Sequence, residues 1–309
     1  MRRLGRVTCL ESEAKSVLNR VVGMPFAWSI NPYRGCYHQC VFCYARRTHT
    51  FLQRNGIGDW GSQLSVKVNA AQVLRRELAS PRWRGEHVAI GTATDPYQPI
   101  EGHYRVTRGI LAELVRARTE AHLTTRSPLV VRDIDVLQEL ARVAGAAIAV
   151  SLPTLDEELA RRIEPTVAPP SRRLRAVRML ANAGLRVGVA VAPILPHLTD
   201  GESSLREVLA AAAEAGAAYT WHTVLNLNEV AKESYFGFLR SNFPSLVAPH
   251  EDYYRRKYAP QALVDGIDAR IRRAQRGIRF DVTQAIATER RRVQLSLLDD
   301  PRAVPPERA

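Results

Sequence analysis

A chain of 309 residues, 46% of them hydrophobic, can bury a sizeable core, which excludes a disordered polypeptide. No uninterrupted apolar run approaches the roughly 20 residues that cross a bilayer. The N-terminus carries Glu11 and Glu13 and no apolar stretch, so it does not read as a signal peptide, and a cytoplasmic location is expected. The net charge of +13 comes almost wholly from arginine, since only Lys15, Lys67, Lys232 and Lys257 are lysines. Such a surface attracts polyanions, nucleic acid among them, although solvated helix faces carry arginine too.

In chain order, strands are expected at 26–30, 87–92, 121–125, 146–151, 186–192 and 219–225. These are short, continuous apolar runs of the kind buried on both faces of a parallel sheet. Amphipathic helical stretches separate them, several ending in a glycine (Gly145, Gly184, Gly216) that reads as a C-cap. Six successive βα units imply a parallel sheet with right-handed crossovers, either doubly wound or a complete or partial β/α barrel. The expected organisation is a lead-in at 1–25, a core at 26–243, a basic helical extension at 244–288 and a polar, proline-rich tail at 289–309.

Four cysteines, three of them within eight residues, do not make a secreted disulfide framework. Cys36, Cys40 and Cys43 follow the first expected strand and read as a metal site. Thiolates suit zinc or an iron–sulfur cluster. A closed zinc site needs a fourth ligand, for which His38 or His49 is at hand. Three thiolates on one loop instead suit a cubane with one iron left open. Cys9 lies apart and reads as a buried or incidental thiol.

The spacing C-x3-C-x2-C, with Phe42 before the last cysteine, resembles the motif of the radical S-adenosylmethionine superfamily. NPYRGCYHQCVFCYAR, GTATDPYQ, TTRS, SLPT and APILPHLTD, in this order, look like the radical enzymes grouped with spore photoproduct lyase. The resemblance implies an α/β fold, a partial (β/α)6 barrel of the TIM type, with one [4Fe–4S] cluster and S-adenosylmethionine. It implies reductive cleavage of that cofactor to a 5′-deoxyadenosyl radical, fed by an electron donor such as flavodoxin or ferredoxin. By the same comparison Phe42 packs on the adenine. Gly91, Thr92, Thr94 and Asp95 lie where the cofactor's amino group is met, and Arg126 and Ser151 where its carboxylate is held. Arg126 stands where the lyase has lysine, keeping the charge while altering the geometry. Read by themselves, Thr94, Asp95 and Ser151 also fit caps of the following helices.

Tyr44 matches a tyrosine of the lyase's radical relay, and read by itself it equally fits a core aromatic after the cysteine loop. Thr92 falls where the lyase carries a hydrogen-donating cysteine, and no cysteine follows Cys43. The expected activity is therefore radical chemistry on nucleic acid, with DNA lesion repair as the particular case. A radical enzyme acting on a peptide, RNA or small metabolite remains open, as does a non-catalytic, metal-stapled nucleic-acid-binding protein. In the tail, Gln294, Leu295, Leu297 and Leu298 within QLSLL resemble the peptide that docks on the bacterial sliding clamp, though VQLSLL could equally be a small helix packed on the core.

Overall fold

The strands fall in two sheets of a computed structural model that describes residues 2–280. In chain order they are β1 (Arg2–Leu4), β2 (Val7–Ser12), β3 (Leu18–Arg20), β4 (Trp28–Ile30), β5 (Tyr33–Arg34), β6 (Gln63–Lys67), β7 (Val88–Ile90), β8 (Ala121–Thr125), β9 (Ala146–Ser151), β10 (Arg186–Ile194) and β11 (Tyr219–Val224). The larger sheet has the order β11-β10-β9-β8-β7-β4-β3, parallel throughout except where β3 pairs β4 antiparallel. Each parallel strand lies beside its predecessor, with no reversal of direction along the sheet. A doubly wound sheet would reverse. The sequential order, open between β11 and β3, is that of a partial β/α barrel, as the motifs imply.

The helices are α1 (Ala70–Leu78), α2 (Glu101–Tyr104), α3 (Val106–Arg116), α4 (Ile134–Val143), α5 (Glu157–Ile163), α6 (Pro170–Asn182), α7 (Glu202–Glu214), α8 (Glu229–Asn242), α9 (Val247–Tyr253) and α10 (Gln261–Ala274). Val88, Ile90, Leu123, Ile148, Val150, Val187 and Val189 are buried between the sheet and its helices. Each such side chain contributes about 1.5–3 kcal/mol relative to exposure. Gly145, Gly184 and Gly216 all take the left-handed conformation expected of C-caps. α10 packs against α7, and Arg206 on α7 reaches the carbonyls of Ala274 and Arg276 at 3.1 and 2.9 Å.

The second sheet, β1-β2-β6-β5, has no counterpart among the expected strands. It draws the chain's first strands onto the segment that follows the cysteine loop, β2 running parallel to β6. Its strands are short and two of its pairings are remote in sequence, so no local alternation marks them. Cys9, in β2, is fully buried in the main core. The clamp-like residues Gln294, Leu295, Leu297 and Leu298 lie outside the described residues.

Candidate active site

Strand β4 delivers the chain to Asn31, and the short pair β5–β6 then turns it into the cysteine loop. Gly35 has φ +80, and a Cβ there would stand 2.6 Å from His49 Nε2 and 3.0 Å from the Gln63 carbonyl. Only glycine fits that turn. Cys36 and Cys40 are buried and Cys43 is half-buried. Burial pushes all three thiols up from their ordinary value, so ionising them in this pocket requires a cationic partner.

Three groups of contacts hold the loop. From the β7 side, the Thr94 hydroxyl donates to the Gly35 carbonyl (2.6 Å), and the Gln98 amide accepts from Tyr37 N (2.7 Å). From the α5 side, Val41 N donates to the Ile163 carbonyl (3.0 Å), while Thr166 Oγ1 accepts from Gln39 N (3.2 Å) and donates to the Tyr37 carbonyl (2.9 Å). From inside, the buried Arg46 guanidinium bonds the carbonyls of Gln39, Cys40 and Gly56 and lies over Trp60. The carbonyls of Gly35, Tyr37, Gln39 and Cys40 are thereby satisfied within the protein, which fixes the course of the loop that carries the three cysteines.

The strand ends build the rest of the rim. Gly91, at φ +89, packs so closely that a Cβ would meet the Thr124 carbonyl at 2.4 Å. Asn31 Oδ1 accepts from Ala93 N at 2.8 Å and Asn31 Nδ2 bonds Thr92 Oγ1 at 3.1 Å. The Tyr44 hydroxyl donates to the Thr92 carbonyl, so these two residues are neighbours. Asp95 does not cap α2, which starts beyond Ile100. It ties β7 to β8 instead, accepting from Tyr97 N (2.8 Å), Thr125 Oγ1 (2.6 Å) and Arg126 N (2.7 Å). Burial opposes its charge, but His38 at 3.5 Å and these donors hold its carboxyl below the usual range. Ser151 caps nothing either, because Asp156 caps α5; it is buried, and its carbonyl accepts from Arg173 (2.9 Å).

Arg126 is not a lone charge. Its Nε donates to Glu164 (2.8 Å), its Nη2 to the Ala192 carbonyl (3.2 Å), and its guanidinium lies 5.7 Å from the Phe42 ring centre. Glu164 is fully buried and faces Arg173 as well, at 2.7 Å but outside hydrogen-bond alignment. Burial opposes the Glu164 charge, yet Arg173 and Arg126 hold its carboxyl below its ordinary value. The Arg126 guanidinium is held above its own by the Cys40 sulfur and Glu164, against the cost of burial. Phe42 is buried with Ile163, Leu195, Leu225 and Leu227.

The structure thus gathers Cys36, Cys40, Cys43, Phe42, Tyr44, Thr92, Thr94, Asp95 and Arg126 around one loop, with Ser151 joined to it through Arg173 and Glu164. Sequence reading assigned no role to Asn31, Arg46, Gln98, Glu164 or Arg173. Glu164 stands in Ile-Glu-Pro at a helix end, where nothing in the local pattern separates a buried carboxylate from a solvated one. Neither His38 nor His49 completes a zinc set. Among the described residues no three His, Cys, Asp or Glu side chains converge on one ion position. A cubane makes no such demand, because each cysteine binds a different iron. The donor set fits that group.

An open, sequentially wound β/α sheet with three cysteines after its first parallel strand defines a class. The radical SAM superfamily model matches residues 30–210, and the chain belongs to that superfamily. It is a radical SAM enzyme. A Mycobacterium tuberculosis protein is 38% identical over 269 residues, covering 86% of this chain and 79% of the relative. A Methanocaldococcus jannaschii protein is 25% identical over 77% of this chain and 85% of its own length. Among solved structures, spore photoproduct lyase complexed with dinucleoside spore photoproduct superposes with a TM-score of 0.66 at 16% identity, covering 88% of this chain and 79% of the lyase. At that identity the likeness concerns the fold. No helix among the described residues is long and apolar enough to cross a membrane.

Proposed function

We propose that Cys36, Cys40 and Cys43 hold a [4Fe–4S] cluster, that S-adenosylmethionine binds beside it, and that the substrate is nucleic acid, with DNA lesion repair as the particular activity. The observation that carries this reading is the cysteine loop itself. It is braced from three sides, and that bracing holds three cysteines together on one turn of chain directly after the first parallel strand. Held by Cys36, Cys40 and Cys43, such a cluster would supply the electron for reductive cleavage of S-adenosylmethionine, and with it the 5′-deoxyadenosyl radical that would take hydrogen from the substrate.

The chain's own residues bind and orient. Arg126 offers a fixed cation for the cofactor carboxylate, with Ser151 near it. Gly91 keeps the backbone at the end of β7 open to the amino group, with Thr92, Thr94 and Asp95 fixing the course of that segment. Phe42 provides an aromatic face for adenine. Tyr44 stands ready to relay a hydrogen atom, and Thr92, lacking a thiol, leaves the last hydrogen to come from elsewhere. Support for a nucleic-acid substrate comes from the net charge of +13 and the likeness of the fold to a lyase solved with a dinucleoside photoproduct. Reduction falls to a small donor such as flavodoxin or ferredoxin.

Anaerobically purified protein should hold about four irons per chain, as a cubane requires. With dithionite it should convert S-adenosylmethionine to 5′-deoxyadenosine. Cys36→Ala, Cys40→Ala and Cys43→Ala should each lose both properties, and Cys9→Ala neither. One zinc per chain and no cofactor cleavage would overturn the cluster assignment. Deuterium should pass from labelled, ultraviolet-damaged DNA into 5′-deoxyadenosine; cleavage without that transfer removes DNA as the substrate while leaving the enzyme class intact.

A further inference from the structure

The outer face of the second sheet gathers cations that the cysteine site does not use. Arg34 on β5 is the register partner of Ser65 on β6, and Lys67 lies two residues further along the same strand face. Arg54, from the loop between them, donates through Nη2 to Ser65 Oγ at 3.1 Å. Arg34 acts electrostatically on both Arg54 and Lys67. Lys67 is only 7% exposed. Among the described residues its ammonium makes no hydrogen bond and no ion pair. Arg54 Nη1 is likewise buried with no hydrogen-bond partner.

The nearby carboxylates are already engaged. Glu77 accepts from Ser16 Oγ and from the amides of Val17 and Leu18, and Asp59 from Asn55 N and Gln63 Nε2. Burying the Lys67 ammonium and Arg54 Nη1 with idle donors costs stability, and a ligand of opposite charge would offset that cost. Burial, with the Arg34 charge adding to it and Glu77 opposing it from a distance, lowers Lys67 to about 8, so the ammonium is still mostly protonated at neutral pH.

We propose that Arg54, Lys67 and the Ser65 hydroxyl form a phosphate-binding site on the second sheet, with Arg34 adding its charge beside them. A tetrahedral dianion matches the donor set: a rigid guanidinium fork from Arg54, a point charge from Lys67 and a hydroxyl that can turn to donate. Arg34 adjoins Gly35 and Cys36, so the site lies one turn of chain from the cysteine loop. A phosphate held there belongs either to a polynucleotide strand that continues toward the barrel mouth or to a free phosphorylated molecule. The site does not depend on the cluster reading.

The test uses the full chain with its cluster reconstituted. Inorganic phosphate should raise the melting temperature of the parent protein in a saturable way. Lys67→Met should melt higher than the parent without phosphate, because it removes an unpaired buried charge, and should lose the phosphate response. Should Lys67→Met fail to fold, Arg54→Gln on a half-exposed side chain supplies the same comparison. Cofactor cleavage without substrate should be unchanged in either variant, which separates this site from the catalytic one. In a second arm, duplex and single-stranded oligonucleotides are titrated against salt. A strand phosphate in the site predicts that log K against log salt becomes shallower by about one in the variant. An unchanged slope with the phosphate response lost assigns the site to a free phosphorylated molecule. If phosphate does not stabilise the parent and Lys67→Met alters neither melting nor the salt slope, the proposal is wrong.

Discussion

Two clusters of buried charge flank the cysteine loop, and they are built on opposite plans. On the barrel side Arg126, Glu164 and Arg173 form a cation–anion–cation row, in which the fully buried carboxylate faces both guanidiniums. On the outer sheet Arg34, Arg54 and Lys67 stand together, while the nearest carboxylates are spent on backbone amides and hydroxyls. Both clusters pay for desolvation; the first recovers it in its own ion pairs, whereas among the described residues the Lys67 ammonium and Arg54 Nη1 find no hydrogen-bond partner. A paired row fixes geometry in the empty protein. An unpaired group lowers stability until something else arrives, and so marks a binding function more directly than a paired one.

Breaking the paired row should have the largest effect. Glu164→Ala leaves two buried guanidiniums uncompensated and should cost about 3–5 kcal/mol in denaturant unfolding. If the loss is below that of an ordinary surface substitution, the row is not a structural unit and the contrast collapses. The opposite sign is expected at Lys67, where neutralisation should stabilise.

Asp95→Asn should come next, at about 1–3 kcal/mol, because an amide keeps one acceptor but turns its NH2 toward donors that the carboxylate had satisfied. Acid titration sharpens the comparison. The carboxyls of Asp95 and Glu164 are both held below their ordinary values of 3.8 and 4.5. Their contribution is therefore fully present above those values and is lost as pH falls through the lower folded ones. Unfolding free energy should drop on that acid limb in the parent and drop less in Asp95→Asn and in Glu164→Gln. An identical acid limb in parent and variants would mean that folding lowers neither carboxyl's pKa.

The smallest effect is expected at the loop's far anchor. Asn228 caps α8 by accepting from Ala231 N at 3.0 Å, and its Nδ2 donates to the Tyr44 carbonyl at 2.8 Å. Asn228→Ala should cost about 0.5–2 kcal/mol, as for other lost caps. Asn228→Asp keeps the cap and loses the donor. Comparing the two by unfolding measures what the link to Tyr44 adds, and equal losses would show that the link, not the cap, carries the stability.

Much of the catalytic side is legible along the chain. The three cysteines, Phe42 and the six apolar runs are local signals, and local signals survive in a linear reading because cysteine spacing and a continuous apolar run need no distant partner. Gly35 and Gly91 could be seen as glycines, but the reason only glycine serves there is a Gln63 or Thr124 carbonyl brought from elsewhere. Thr94, Asp95 and Ser151 were equally readable as helix caps. The structure settles their contacts otherwise, binding Thr94 to Gly35 and Asp95 to the start of the segment after β8.

What the amino-acid sequence determined by itself was the order of βα units and the spacing of the three cysteines on one loop, since both are read within short stretches of chain. The tertiary structure alone decided which charges are paired. Glu164 meets Arg126 across 38 residues and Arg54 reaches Ser65 across 11, whereas among the described residues Lys67 pairs with no carboxylate and feels Glu77 only at a distance. Arginine, lysine and glutamate carry the same formal charge wherever they stand. Whether that charge is compensated is fixed by distance and burial, quantities that exist only once the chain has folded.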